Sequence, residues 1–244
     1  MLKHIKNTEV NYVDYGEGKN TIVLLHGWGQ NIEMMNPVGI KLKKDNRIIL
    51  VDLPGFGESK EPSEIWTMYD YADMIKELLD DLKIDNPILI GHSFGGKISL
   101  IYASKYKVKK LVLFGSPYKK NIKKLSTKTK ILKTLKKVPV LNKFEGFAKK
   151  HIGSRDYKAA SEFMRKILVE HVNLDITEEV KKIKCPTILV WGTMDTEVPI
   201  EDAYELEKLL GDAAVIPYDG CSHYAYLERL GQTVNIIKNF IGDE

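Results

Sequence analysis

Residues 88–98 read ILIGHSFGGKI, and this stretch decides the fold of the chain. An apolar run stops at Gly91, one serine follows, and a second apolar segment begins after a pair of glycines. The pattern predicts a buried parallel strand, a sharp reversal and a helix that begins near Phe94. Gly91 and Gly95 flank Ser93 because side chains would collide where strand and helix come so close. We therefore expect the Ser93 hydroxyl at the carboxyl edge of a sheet, beside helix N–H groups that stabilise an anion.

The size and composition of the chain are those of one globular domain, with or without an insertion. Of its 244 residues, 43% are hydrophobic and 29% are charged. No apolar run approaches a membrane span of about 18 residues, and the first residues have no apolar segment typical of a signal peptide. The two cysteines, Cys185 and Cys221, cannot form a disulfide framework and fit a reducing compartment. The sequence therefore predicts a cytoplasmic protein without a membrane span.

Strand patterns alternate with helical patterns along most of the chain. The strand patterns cover residues 2–7, 9–15, 21–25, 47–52, 88–91, 110–114, 187–191 and 214–217. The helical patterns cover residues 32–44, 67–82, 94–104 and 201–210, with a closing helix around 234–241. The clearest helix begins at Thr67, which has the spacing of a capping box with Asp70. The alternation predicts an α/β fold with a mainly parallel sheet, helices on both faces and a ligand at the carboxyl edge.

The strand pattern is interrupted between Tyr118 and Lys184, where only helical patches occur. Their apolar positions are Ile122, Leu125, Leu132, Leu135, Phe144, Phe147, Ala148, Phe163, Ile167 and Leu168. We expect a helical cap, residues 118–184, inserted into a core of residues 1–117 and 185–244. The insert has 17 Lys and 2 Arg against 7 acidic residues, a net charge of +12. Because the whole chain has +4, the core carries −8.

A serine hydroxyl needs a base, and the chain has six histidines. His223 follows the last predicted strand, so its loop lies at the same edge of the sheet as Ser93. His26, in the turn after the first buried strand, is expected to orient that turn, and His92 must point away from Ser93. Three histidines remain as surface or core residues without a predicted role: His4, His151 and His171. The sequence therefore assigns His223 as the base.

The imidazolium that would form on His223 needs a carboxylate to fix its tautomer and stabilise its charge. Asp195 follows the predicted strand at 187–191 and reaches the same edge. Asp52 precedes a Leu-Pro-Gly turn and is expected to brace it, whereas Asp219 lies too close to His223 along the chain. We therefore assign Asp195 as the acid.

A tetrahedral intermediate also needs N–H groups directed at its oxygen. The backbone N–H of Phe94, directly after the nucleophile, is one candidate. The backbone N–H of Trp28, in the glycine-rich turn 26–29, is the second. The indole of Trp28 is free at the same time to form an apolar wall of the pocket.

Four features together resemble the α/β-hydrolase superfamily: the turn HGWG at 26–29, the loop DLPGFGES at 52–59, the elbow GHSFGG at 91–96 and the order Ser93, Asp195, His223. The resemblance covers the chain outside the cap and implies the α/β-hydrolase fold, with an eight-stranded sheet. A serine nucleophile excludes the dehalogenase and epoxide-hydrolase members, and the His-Gly-Gly-Gly loop of hormone-sensitive-type lipases is absent. The motifs are most similar to small carboxylesterases, including the carrier-protein methyl ester esterase of biotin synthesis. Meta-cleavage-product hydrolases share the same skeleton.

Three functions follow as hypotheses. The first is a serine carboxylesterase that works through an acyl-enzyme. The second is hydrolysis of a C–C bond in a vinylogous keto acid, and the third is a non-catalytic ligand receptor, against which an intact triad argues. No cofactor and no metal-ligand spacing are indicated.

The expected partner is a small ester. Two properties of the substrate stay open, namely whether it is anionic and whether an acidic carrier protein bears it. No nucleic-acid partner is expected, because the basic insert has no recognition motif and the acidic core opposes one; a lysine-rich solvated face is the more frequent meaning of such a run. The oligomeric state is open.

Overall fold

In the computed structural model, which describes residues 1–120 and 160–242, strands and helices alternate as predicted. The strands are β1 (Leu2–Ile5), β2 (Thr8–Tyr15), β3 (Asn20–Leu25), β4 (Asn46–Val51), β5 (Ile88–His92), β6 (Lys110–Phe114), β7 (Thr187–Gly192) and β8 (Ala213–Tyr218). The helices are α1 (Ile32–Leu42), α2 (Met68–Asp81), α3 (Phe94–Lys105), α4 (Glu162–Asn173), α5 (Thr177–Val180), α6 (Ile200–Leu210), α7 (Ala225–Glu228) and α8 (Leu230–Gly242).

Eight strands form one sheet in the order β1-β2-β4-β3-β5-β6-β7-β8. Strand β2 pairs antiparallel with β1 and β4, and all the other pairs are parallel. The prediction of a mainly parallel eight-stranded sheet is confirmed. The parallel order places the loops after β3, β5, β6, β7 and β8 at one edge, where the predicted site residues lie.

Helices cover both faces of this sheet, so the central strands are buried on both sides. Alternate residues of β3 enter different cores: Val23 and Leu25 pack on the face covered by α2, α3 and α6, whereas Ile22 and Leu24 pack on the face covered by α1 and α8. Burial on both faces explains why these strands have continuous apolar sequences instead of alternating ones.

Helix α2 begins as the capping box predicts. The Thr67 hydroxyl accepts the backbone N–H of Asp70, and the Asp70 carboxylate accepts the backbone N–H of Thr67. Helix α1 continues through Pro37 and Gly39, two residues that are unfavourable inside a helix. At Gly39 a Cβ would lie 2.6 Å from the Tyr15 hydroxyl, so a close contact between α1 and β2 requires glycine there.

The predicted cap is described only in part. Its described residues between β6 and β7 form two helices, α4 and α5, and no strand. In α4 the predicted apolar residues Ile167 and Leu168 are buried, whereas Phe163 is only half-buried. Met164 of the same helix is also buried. Among the predicted cap positions, these lie outside the described residues: Ile122, Leu125, Leu132, Leu135, Phe144, Phe147, Ala148 and His151. The cap boundaries, 118 and 184, therefore stay a prediction.

A search of the described helices for a span long and apolar enough to cross a bilayer finds none.

Candidate active site

The chain reverses sharply between β5 and α3, and Ser93 is the residue at the reversal. Its backbone has φ of 50° and ψ of −109°, a conformation that is strained for a residue with a side chain. A Cβ at Gly91 would lie 2.6 Å from the Cα of Gly96, and one at Gly95 would lie 2.5 Å from the carbonyl oxygen of His26. The glycines are therefore required by close backbone contacts, as the sequence predicts.

The loop after β8 brings His223 to the carboxylate of Asp195, which stands in the loop after β7. Nδ1 of His223 lies 2.7 Å from Oδ2 of Asp195, whose side chain is only 1% exposed. The other oxygen, Oδ1, accepts the backbone N–H groups of Glu197 at 2.8 Å and Val198 at 2.9 Å. Because Nδ1 donates to the carboxylate, Nε2 of a neutral His223 keeps its lone pair and is able to accept a proton.

The end of β6 joins this pair to the Ser93 turn. The backbone N–H of Ser93 donates to the carbonyl oxygen of Phe114 at 2.9 Å. The next residue, Gly115, has φ of 50°, and a Cβ there would lie 2.8 Å from Nδ1 of His223 and 3.1 Å from Oδ2 of Asp195. The structure thus brings Ser93, Asp195 and His223 to one place around Gly115. Among the described residues no hydrogen bond joins the Ser93 hydroxyl to His223.

Gly115 was not predicted from the sequence to be a residue of the site. Its signal was a glycine directly after a buried parallel strand, at the same edge of the sheet as Ser93. The need for glycine comes from His223 and Asp195, which are far away along the chain, so the residue alone did not reveal it.

The turn at residues 26–29 lies against the start of α3. The backbone N–H of Gly95 donates to the carbonyl oxygen of His26 at 3.0 Å, which holds the two segments together. The backbone N–H groups of Trp28 and Phe94 have no acceptor among the described residues. The rings of Trp28 and Phe94 meet edge to face with centroids 5.2 Å apart, and Phe56 packs against both. This arrangement leaves two donors beside an aromatic wall.

Residues 20–147, just over half of the chain, match the family model described as the alpha/beta hydrolase fold. The chain belongs to this family. The family resemblance inferred from the motifs is therefore confirmed.

Two relatives of this alpha/beta hydrolase differ in chemistry. It is 28% identical over 271 residues to a 2-hydroxy-6-oxononadienedioate/2-hydroxy-6-oxononatrienedioate hydrolase of Paraburkholderia phymatum, a match that covers 96% of this chain and 91% of the relative. It is 26% identical over 253 residues to a pimeloyl-[acyl-carrier protein] methyl ester esterase of Aliivibrio fischeri, covering 93% and 95%.

The crystal structure of the enol-lactonase from Burkholderia xenovorans LB400 superposes on the hydrolase with a TM-score of 0.79, at 19% identity and over 100% of both chains. At this identity the likeness shows the fold alone.

His26 and Asp52 of the hydrolase hold loops, as predicted. His26 is buried, Nδ1 lies 2.7 Å from the carbonyl oxygen of Gly27, and Nε2 accepts the backbone N–H of Leu53 at 2.9 Å. Burial lowers the pKa of His26 to about 4, so the ring stays neutral. Asp52 accepts the backbone N–H of Ile32 at 2.7 Å, the backbone N–H of Glu58, in its own loop, at 2.9 Å and the side-chain N–H of Asn11, in β2, at 2.8 Å.

The remaining acidic, cysteine and histidine candidates lie outside the group of Ser93, Asp195 and His223. Asp219 is exposed and accepts a hydrogen bond from the hydroxyl of Thr193, 3.2 Å away. Cys221 is buried in a hydrophobic cluster, which agrees with a packing role. His4 is exposed, whereas His171 is buried with its ring against Phe94. Among the described residues no group of three or more possible metal ligands occurs.

His92, which the sequence predicts to point away from Ser93, lies against His223. Its ring lies 4.7 Å from the ring of His223, measured between centroids, and its Nε2 lies 3.1 Å from the carbonyl oxygen of His223. The side chain thus contacts the loop that carries His223, the candidate base. Only the position of the β8 loop, 131 residues further on, determines this contact.

The sequence analysis also did not predict a role for a buried lysine on α3. Lys97 is fully buried, and its ammonium donates to the carbonyl oxygens of His171 and Leu174, each at 2.8 Å. These oxygens belong to the C-terminal end of α4, where a cation is favourable. Burial lowers the pKa of Lys97 to about 8, although the carboxylates of Glu170 and Asp175 oppose the shift. Lys97 therefore joins α3, the helix that follows Ser93, to the C-terminal end of α4.

Proposed function

We propose that this alpha/beta hydrolase cleaves carboxylic esters through an acyl-enzyme. The observation that carries the proposal is the hydrogen-bonded pair of Asp195 and His223, which lies beside Ser93 at its strained turn. In the first step His223 Nε2 removes the hydroxyl proton while Ser93 Oγ attacks the carbonyl carbon. The tetrahedral intermediate then expels the alcohol, which takes its proton from His223. Water, activated by the same nitrogen, releases the acid and restores Ser93.

Asp195 has two roles in this scheme. It holds the His223 ring with Nδ1 protonated, and it stabilises the imidazolium that forms during attack. The carboxylate is itself held by the backbone N–H groups of Glu197 and Val198, so it cannot rotate away without losing both. We assign the oxyanion to the backbone N–H groups of Trp28 and Phe94, which lack other acceptors among the described residues.

The walls beside this site favour an apolar substrate group. Trp28 and Phe56 are half-buried and meet Phe94 edge to face. Such a cluster offers a rigid apolar surface without a charged side chain. The similarity to a methyl ester esterase of a carrier-bound acyl group supports the ester reading and keeps a carrier-borne substrate open.

A C–C bond hydrolase is the second candidate, because a relative matched over 96% of this chain is a 2-hydroxy-6-oxononadienedioate/2-hydroxy-6-oxononatrienedioate hydrolase. The same serine, histidine and aspartate would serve it. The two reactions differ in the atom that receives the proton from His223, an alcohol oxygen in one case and a carbon in the other. A non-catalytic receptor would need neither the strained backbone of Ser93 nor the hydrogen-bonded pair of Asp195 and His223.

Hydrolysis of p-nitrophenyl esters of increasing acyl length, with Ser93→Ala as the control, tests the proposal. The wild type should release nitrophenol, and the variant should lose roughly 10⁴–10⁶ in kcat with an unchanged far-UV spectrum. Turnover by Ser93→Ala within tenfold of wild type would exclude the mechanism. A parallel assay with a 2-hydroxy-6-oxo-dienoate distinguishes the two activities. Only a C–C hydrolase would cleave this compound, and its conjugated absorbance would then be lost.

A further inference from the structure

The imidazole of His92 has no part in the proposed chemistry, yet it is fully buried directly before Ser93. Nε2 lies 3.1 Å from the carbonyl oxygen of His223, and Nδ1 lies 3.2 Å from Oε1 of Gln30. The ring packs among those of His223, Tyr224 and Tyr226, with centroids 4.7, 5.4 and 5.0 Å away. His92 therefore contacts the loop of the proposed base on one side and the loop after β3 on the other.

Gln30 continues this contact to the proposed oxyanion donor. Its Oε1 accepts the backbone N–H of Gly27 at 3.0 Å, and its own backbone N–H donates to the carbonyl oxygen of Gly27 at 3.3 Å. Gly27 directly precedes Trp28. The Gln30 amide nitrogen donates to the hydroxyl of Tyr224, next to His223, at 3.3 Å. We call the path from Gly27 through Gln30 and His92 to the carbonyl of His223 the His92–Gln30 bridge.

The proton positions in the bridge follow from its donors and acceptors. A carbonyl oxygen only accepts, so Nε2 of His92 carries the proton, and Nδ1 of a neutral ring is an acceptor. Burial, followed by the neighbouring His223, lowers the pKa of His92 well below its usual value, and His26 acts in the same direction. Oε1 of Gln30 accepts the N–H of Gly27 and is an acceptor towards His92 as well, so the 3.2 Å between Oε1 and Nδ1 is a packing contact and not a hydrogen bond. The bridge therefore consists of the hydrogen bonds of Gln30 to Gly27 and Tyr224, the hydrogen bond of His92 to the carbonyl of His223, and the contact between the two side chains.

We propose that His92 and Gln30 are positioning residues, which hold the Trp28 N–H and the His223 imidazole at a fixed separation across Ser93. This inference rests on the proposed function, since it requires Trp28 to bind an oxyanion and His223 to act as the base. A neutral His92 also suits the reaction. When His223 takes the proton of Ser93, its neighbour adds no second positive charge.

Gln30→Met tests the bridge, because methionine has a similar length and lacks both polar ends. The experiment measures kcat and KM for a p-nitrophenyl ester, together with the inhibition constant of a boronic acid. A boronic acid that bonds to serine places an anionic oxygen where the oxyanion forms. We expect kcat to fall about tenfold at nearly constant KM, and the boronic acid to bind weaker by the same factor. Gln232→Met, on the exposed side of α8, is the matched control and should change neither value.

A double-mutant cycle with His92→Phe shows whether the two residues act through one path. The double variant should be no slower than the slower single variant, because either change already breaks the bridge. If His92→Phe does not fold, His92→Leu replaces it, since it also lacks an N–H for the carbonyl of His223. Additive losses, or unchanged boronic acid binding in Gln30→Met, would overturn the inference while leaving the esterase intact. A wild type that neither hydrolyses esters nor binds the boronic acid would refute the proposed function, and the role of the bridge with it.

Discussion

Asp195 accepts a hydrogen bond from Nδ1 of His223 at 2.7 Å with one oxygen and two backbone N–H groups with the other. Both oxygens are thus held by the protein before any substrate arrives. The pair is almost completely removed from water on the carboxylate side, where the Asp195 side chain is 1% exposed. This geometry fixes which nitrogen of His223 faces the site, and it makes the identity of the acid testable.

Asp195→Asn should lower kcat by about 10⁴-fold. The asparagine oxygen can still accept the two backbone N–H groups, so its NH₂ faces Nδ1 and drives the ring proton to Nε2. In that tautomer His223 cannot take the proton of Ser93. Asp219→Asn is the matched control, since that carboxylate is exposed and bonds the Thr193 hydroxyl instead. Kinetics on one p-nitrophenyl ester suffice, and an inactive Asp219→Asn beside an active Asp195→Asn would show that the acid is assigned to the wrong residue.

Gly115→Ala should reduce kcat/KM by roughly 10²-fold, because its methyl group would displace His223 or Asp195. The positive φ adds strain, and we expect a loss of about 1–2 kcal/mol in the free energy of unfolding. Gly231→Ala, in α8 with open space around the new methyl group, is the control and should keep full activity. Ester kinetics and urea unfolding of both variants measure the two effects. Equal activity of the two variants would contradict the close packing of Gly115 against the pair.

Lys97→Met should change how stability depends on pH. The pKa of Lys97 is lowered to about 8 in the folded protein from its ordinary 10.5, so the unfolded chain binds more protons between these values. The cost of burying the ammonium is therefore full below pH 8 and decreases as the pH rises towards 10.5. The free energy of unfolding of the wild type, relative to that of Lys97→Met, should therefore increase by about 2 kcal/mol between pH 7.5 and pH 9.5.

Urea unfolding of both proteins at these two pH values measures the difference. The comparison with the variant removes the contribution of other titrating groups, which the two proteins share. A difference that stays constant with pH would mean that Lys97 is not a buried ammonium at the end of α4.

The basic insert gives a prediction about ionic strength. Steering of an anionic substrate should make kcat/KM fall between about 0.01 M and 1 M salt, as the Debye length shrinks from about 30 Å to about 3 Å. A neutral ester of equal length should barely respond. If both esters respond alike, the lysines serve solubility only.

The structure indicates which lysines can contribute to the steering of an anionic substrate. Lys119 is paired with Asp202 at 2.9 Å and with Glu205 at 2.5 Å, so Lys119→Gln should leave the salt response unchanged. Lys120 is exposed, whereas Lys123 and Lys124 lie outside the described residues. Their combined replacement by glutamine should flatten the response of the anionic ester, and kinetics at four salt concentrations would measure it.

Much of the fold could be predicted because its signals are local. The continuous apolar run of β3 and the capping box of Thr67 and Asp70 depend on neighbouring residues, and the structure contains both elements. The same holds for the glycines around Ser93, which a tight turn requires in any context. The edge of the sheet that carries Ser93, Asp195 and His223 follows from the parallel order alone.

The sequence by itself therefore determined the α/β architecture, the turn that carries Ser93 and the loops that hold its candidate partners. Tertiary structure alone decided that His92 turns to the carbonyl of His223, that Gly115 must lack a side chain, and that Lys97 is buried under α4. Each of these contacts joins residues far apart in the chain: 131 positions separate His92 from His223, and 74 separate Lys97 from His171. Strand and helix patterns reflect interactions within a few residues, whereas the partner of a buried polar group depends on which loop packs against it.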